Sequence, residues 1–285
     1  MLSIQINKRV KTIIYSVSIF IGLGLIMFLT FIWPGFNLHP EYDNYLIIAI
    51  IITLIPPSIV DYLDRKWKRD VDHNLPKFIR DISDSQKTGM VFTKAIEHSA
   101  RLEYGALSKE LKQTVSLMSW GETYKVAFDE MAKRVNTPLV YRTMALLSEV
   151  GHSGGNLGDI LESIYVHTKE VQDMQDDRRR QMSPYLLVIY ASFGVYLFVV
   201  VILFLTFFAQ IQSIASEGAP FGGNINPVVY YGWFFHMSVI EAVFAGFIIG
   251  KISDGSITAG LKHVLILLAI SVIVFIFVIL PSIVI

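Results

Sequence analysis

The sequence predicts an all-α polytopic membrane protein, with about five transmembrane helices and a cytosolic six-helix bundle. Three observations predict this class. Of the 285 residues 53% are apolar and only 17% are charged, where a soluble domain carries roughly a quarter charged residues. The charge that is present is unevenly spread: Thr12 to Asp43 hold a single acid, Glu41, before Asp43 itself, and Val264 to Ile285 hold no charged residue. Each run exceeds the roughly 18 apolar residues that read as a membrane span. Between them lies one long polar segment, 61–183, whose apolar residues recur at helical spacing.

The first span is Thr12–Trp33, and its 22 residues would reach about 33 Å as a helix. Lys8, Arg9 and Lys11 precede it, and Trp33-Pro34-Gly35-Phe36 stands where a small-x-small cleavage site would follow, so a retained anchor helix is predicted. The second span, Asn44–Val60, carries Pro56-Pro57 near its end, which predicts a kink or an early exit. Spans three to five run from Pro184 to Ile214, from Pro227 to Gly250 and from Val264 to Ile285. Three Lys or Arg precede span one, nineteen lie between spans two and three, and two, Lys251 and Lys262, lie between spans four and five. All 24 basic residues then fall on one side, which the positive-inside rule makes the cytosolic side. A multi-pass protein of the cytoplasmic membrane is predicted, with the N-terminus inside and the C-terminus outside.

The domains follow: two N-terminal spans over 1–60, a cytosolic helical domain over 61–183, and three spans over 184–285 with a short cytosolic loop at 251–263. The cytosolic segment holds 19 basic and 19 acidic residues, well mixed, and only two prolines, Pro76 and Pro138. Tyr124, Phe128, Met131 and Val135 share one helical face, as do Leu157, Ile160, Leu161 and Ile164. Thr137-Pro138 reads as a helix start, with Thr as cap and Pro in the first turn.

Glycines align into an internal repeat. Gly89-x-x-Phe92-x-x-Ala95-Ile96 matches Gly121-x-x-Tyr124-x-x-Ala127-Phe128 and Gly154-x-x-Leu157-x-x-Ile160-Leu161, at offsets of 32 and 33 residues. Each offset holds two helices, with the glycine closing one in a left-handed cap. Six helices are predicted at 73–88, 91–102, 106–119, 122–135, 138–151 and 156–182, the last continuing through Arg178-Arg179-Arg180 straight into the third span. Gly89, Gly121, Gly154 and Gly155 are structural turns on this reading. Tetratricopeptide and ankyrin arrays share the period, but neither signature is present.

Several chemistries are excluded. Zero net charge speaks against nucleic acid as a partner. With no cysteine there is no disulfide scaffold, iron–sulfur cluster or thiolate zinc site. No phosphate-loop motif is present, and Gly151-His152-Ser153-Gly154-Gly155-Asn156 reads as a glycine-rich helix–helix turn rather than a phosphate cradle. The seven histidines form no metal-ligand cluster, and no Gly-x-Ser-x-Gly elbow places a nucleophile. No catalytic residue, metal or cofactor is predicted.

Asp61 and Asp254 close spans two and four and could share a proton as an intramembrane aspartyl peptidase would. The sequence Gly250-Lys251-Ile252-Ser253-Asp254 lacks the Gly-x-Gly-Asp turn of those enzymes. Glu241, inside span four, must face protein or water and is assigned to helix packing. Ala242-x-x-x-Gly246-x-x-x-Gly250 on the same span predicts a close helix approach through Gly246 and Gly250. A polytopic transporter is the alternative reading, disfavoured by five spans without inverted halves.

The polar segment resembles the F domain of the type II secretion and type IV pilus inner-membrane platform family. The residues that carry the resemblance are Leu75-Pro76-Lys77-Phe78-Ile79-Arg80-Asp81, Gly89 with Ala95-Ile96-Glu97, Gly121-Glu122 with Ala127-Phe128, Arg134-Val135, Leu146-Leu147 with Glu149, Gly154-Gly155-Asn156-Leu157, and Ile160-Leu161. Gly250-Lys251, Asp254-Gly255 and Gly260-Leu261-Lys262-His263 are similar to the C-terminal part of archaellum platform proteins, FlaJ-like, and their archaeal pilus relatives. Those proteins usually carry two F-type domains in a chain about twice this long, whereas the size here is closer to tight-adherence, TadC-like, platforms, so the resemblance leaves archaellum, adhesive pilus and tight-adherence system as three alternatives.

The resemblance implies a non-enzymatic platform that docks a hexameric secretion ATPase and couples its motion to the insertion of pilin- or archaellin-like subunits. Lys251, Lys262 and His263 are the candidate ATPase-docking residues, with Arg178, Arg179 and Arg180 as a second group whose charge also suits the bilayer edge. Self-association as a homodimer is expected through the hairpins or the Gly246/Gly250 face.

Overall fold

In the computed structural model residues 8–32, 40–150, 157–208 and 227–281 are described. Every regular element among them is helical. The helices are α1 (Lys8–Ile32), α2 (Pro40–Lys87), α3 (Phe92–Ser99), α4 (Leu107–Ser119), α5 (Tyr124–Val135), α6 (Pro138–Val150), α7 (Leu157–Ile202), α8 (Pro227–Asp254) and α9 (Leu261–Val274). Five helical stretches are long and apolar enough to cross a membrane. The protein is thus all-α and polytopic, as its hydropathy predicts. It divides into two units, a bundle built on Leu63–Arg178 and a membrane unit built on Asn7–Tyr62 and Arg179–Ile285.

In the membrane unit, α2 corrects one expectation. Pro56-Pro57 does not end it; the helix runs unbroken to Lys87. Proline at 57 removes the N–H that would bond the Thr53 carbonyl. Ser18 of α1 donates its hydroxyl to that carbonyl instead, so a neighbouring helix satisfies the freed backbone group, as apolar surroundings require. The approach is close because Gly22 lies against the Thr53 side chain, where a Cβ would collide. Lys11, Tyr15, Ser18 and Gly22 form one stripe of α1, and the stripe ends in a 2.7 Å ion pair from Lys11 to Asp61. Replacing Ser18 by Ala should cost about 0.6–1.7 kcal/mol, whereas Thr should retain most of the bond. Thermal unfolding of the purified protein in detergent checks both.

α8 and α9 form the tightest contact of this unit. A Cβ on Gly250 would strike the Gly260 backbone, and one on Gly246 would strike Val264. The close approach predicted from the glycine spacing is therefore met within the chain, which fills the face expected to receive a second copy. Ser238 and Ser271, both buried, join the same two helices through a 2.6 Å hydroxyl contact.

The bundle is organised by the Leu63–Lys87 part of α2. Its apolar face (Trp67, Val71, Leu75, Phe78, Ile79 and Ile82) is buried in one core with side chains from α3 to α7. Its polar residues hold the other helices individually. Asp70 Oδ2 accepts the Ala106 N–H at 2.8 Å, and Asp72 accepts the Thr137 hydroxyl at 2.6 Å. Asp81 accepts the Tyr104 hydroxyl at 2.6 Å, and His73 meets Gln172 at 2.7 Å. Ser83 and Lys87 both contact Glu162.

Gly89 and Gly121, at φ +87° and +97°, close α2 and α4 in the same way. Gly89 N–H bonds Gln86 O and Met90 N–H bonds Ser85 O; Gly121 N–H bonds Met118 O and Glu122 N–H bonds Leu117 O. This pair of bonds is the Schellman closure, which needs a left-handed residue and so favours glycine. The equivalent repeat positions Phe92 and Tyr124 touch edge-on, with ring centroids 5.5 Å apart. Gly154 and Gly155, with the rest of 151–156, lie outside the described residues. The sixth helix of the bundle runs on into the third span as expected, α7 continuing through Pro184 to Ile202.

Candidate functional site

The residues that carry chemistry gather where the membrane helices begin and end. Lys11 near the start of α1 pairs with Asp61, which is only 5% exposed. Asp254, at the end of α8, faces Arg179 of α7 and Lys262 of α9, each at 3.9 Å. The Lys262 ammonium also lies 5.7 Å from the centre of the Tyr62 ring. His263 receives or donates a 2.7 Å bond through Nδ1 to the Tyr190 hydroxyl. These contacts link α1 to α2 and join α7, α8, α9 and Tyr62 of α2, so one rim of the membrane unit gathers Lys11, Arg179 and Lys262 with their acids.

The predicted loop 251–263 is an ordered part of this rim. Lys251 is exposed and donates to the Gly255 carbonyl at 3.3 Å. Gly255 turns the chain at φ +70°, and a short 3-10 helix over Ile257–Gly260 leads into α9. Lys262 and Arg179 hold Asp254, while His263 is partly buried against Tyr190. Arg178 and Arg180 are exposed on α7. Of the six basic residues singled out from the sequence, Lys251, Arg178 and Arg180 thus present the most open surface, whereas Arg179, Lys262 and His263 shape the rim.

The arrangement suits binding rather than proton transfer. Asp61 and Asp254 are engaged by different cations, Lys11 for the first and Arg179 with Lys262 for the second. Among the described residues no group of three His, Asp or Glu could hold a metal ion. Glu241 sits at the midpoint of α8, partly exposed.

Sequence reasoning missed the anchoring roles of Lys11, Tyr190 and Asp70. Asp70 explains Gly105, where a Cβ would come within 2.8 Å of the carboxylate. Its signal, an acid 35 residues before a glycine, has no local signature.

Residues 78–205 match the family model described as Type II secretion system (T2SS), protein F. Over this segment the chain is similar to the type II secretion system F-domain family. The match takes in most of the bundle and the membrane part of α7. Members are non-catalytic membrane platforms of secretion and pilus-type systems and work with secretion ATPases and pilin-like subunits. Its five apolar helices, each long enough to cross a bilayer, make the protein a multi-pass membrane protein. An uncharacterized protein of Methanocaldococcus jannaschii is 25% identical over 272 residues, covering 95% of this chain and 44% of that relative. The chain therefore spans less than half the relative's length. No solved structure matches the chain.

The family motif turns out to be architectural. Leu75, Phe78 and Ile79 are fully buried, Asp81 holds Tyr104, and Arg134 holds the buried Glu110 at 2.9 Å. Burial and the Asp81 carboxylate together raise the Tyr104 hydroxyl above its usual pKa, so this bond persists across the physiological range.

Proposed function

We propose that the chain is the membrane platform of an archaellum-like or type IV pilus-like filament. The bundle and the 251–263 loop face the cytosol and dock a hexameric secretion ATPase, and the membrane unit guides pilin- or archaellin-like subunits into the filament. The observation that carries this reading is α7, one helix from Leu157 to Ile202 within the family-matched segment. This helix joins the bundle to the third span without a break in the chain's helical run, which gives a displacement of the bundle a direct covalent path to that span.

The charged rim supports the orientation with the N-terminus inside, because basic side chains collect on the cytosolic side of membranes. Lys251, Arg178 and Arg180 are the residues offered to an acidic face of the ATPase. Arg179, Lys262 and His263 support the loop that presents Lys251.

Deleting the gene in its host, counting surface filaments by electron microscopy and following subunit processing tests the proposal. Loss of filaments with processed subunits accumulating in the membrane is expected. Normal filaments would refute the platform reading, and unprocessed subunits would point to a peptidase.

A further inference from the structure

Glu241 is the one acid in the middle of α8, and it makes no hydrogen bond or ion pair with any described residue. The nearby Tyr196 hydroxyl is committed elsewhere, donating to the Phe234 carbonyl at 3.0 Å. Trp233, Met237, Ile240, Phe244 and Ile248 are all exposed on one arc of α8. Glu241 follows Met237 by four residues and precedes Phe244 by three, so it lies at the margin of that arc. The acid thus borders a surface that otherwise suits lipid tails, at the depth where an uncompensated carboxylate is least tolerated.

Within these membrane spans nothing supplies a permanent cation at that depth: no Lys or Arg occurs in 12–64, 181–250 or 263–285, and the nearest histidine of α8, His236, faces Asp43 at 3.5 Å. We propose that the arc around Glu241 docks a transmembrane helix of a different protein, and that this helix carries a Lys or Arg whose side chain pairs with Glu241 inside the bilayer. The apolar arc provides packing and the acid fixes depth and register, since an ion pair in hydrocarbon tolerates little displacement. The inference stands on the membrane unit alone and is independent of the filament reading.

The test uses the full-length protein in its host membrane, with a photo-cross-linking residue in place of Phe244. Adducts are mapped by mass spectrometry in the parent protein and in Glu241→Asp, Glu241→Gln and Glu241→Leu backgrounds. The expected adduct lies in a membrane helix of another protein, within one helical turn of a Lys or Arg. Its yield should persist with Asp and fall roughly tenfold with Gln and Leu, as the loss of one charge-assisted contact predicts. Exchanging the charges, Glu241→Lys here and the basic residue to Glu in the partner, should restore it. The unaltered melting temperature of Glu241→Gln in detergent separates lost docking from misfolding. Adducts to lipid alone, to a second copy of this chain or to a helix lacking a basic residue would overturn the proposal, as would a yield indifferent to Glu241→Leu.

Discussion

Arg134→Ala should destabilise the bundle by about 3–5 kcal/mol, because it strands a buried carboxylate. Glu110 is fully buried, its Oε2 receives the Arg134 Nε–H at 2.9 Å, and its Oε1 has no donor. The Arg134 side chain is 27% exposed, so the two partners are not equivalent. Glu110→Gln leaves an arginine that can turn to water and an amide that can still accept a bond, and should cost about 1–2 kcal/mol. The double variant Glu110→Leu/Arg134→Met should recover most of the loss, since removing both charges removes the desolvation penalty. Hydrogen exchange of α4 and α5 in the detergent-solubilised protein reads this order directly. Equal effects of the two single changes would show that Glu110 is not the strained partner.

Gly250→Ala should also destabilise the membrane unit, although it adds a single methyl group. The new Cβ would overlap the backbone of Ala259 and Gly260, and backbone cannot rotate aside as a side chain can. α8 and α9 would have to separate, which costs about 1–3 kcal/mol for overpacking and disturbs the Asp254 contacts one turn further on. Gly24→Ala is the matched control, because nothing lies within 4 Å of a Cβ there. Melting temperatures of the two variants in detergent should differ by several degrees. The same loss in both would assign the effect to glycine in general rather than to this crossing.

The spans were legible because a bilayer imposes length and polarity on any helix that crosses it. Gly89 and Gly121 were legible because their closure is local, written in five or six consecutive residues. What escaped the sequence depends on contacts between distant residues. Pro56-Pro57 read as a helix end because the Ser18 hydroxyl that completes the backbone comes from another helix. Gly246 and Gly250 announced a close approach, but spacing alone cannot tell an intramolecular neighbour from a second copy. His263 read as part of a docking loop because it follows Lys262, while its bond to Tyr190 spans 73 residues. Gly105 fell outside the 33-residue register, and the Asp70 that explains it acts across 36 residues.

The way α2 holds the bundle also sets an order for its birth on the ribosome. Its Leu63–Lys87 segment is made before every helix that hangs on it, so Tyr104, Ala106 and Thr137 each find a finished docking point as they emerge. The last of these contacts in chain order, Gln172 on His73, uses the same helix that goes on to become the third span. Until it forms, the face destined for α7 stays uncovered, and the nascent chain carries an exposed apolar groove during the interval in which its third span must be handed to the insertion machinery.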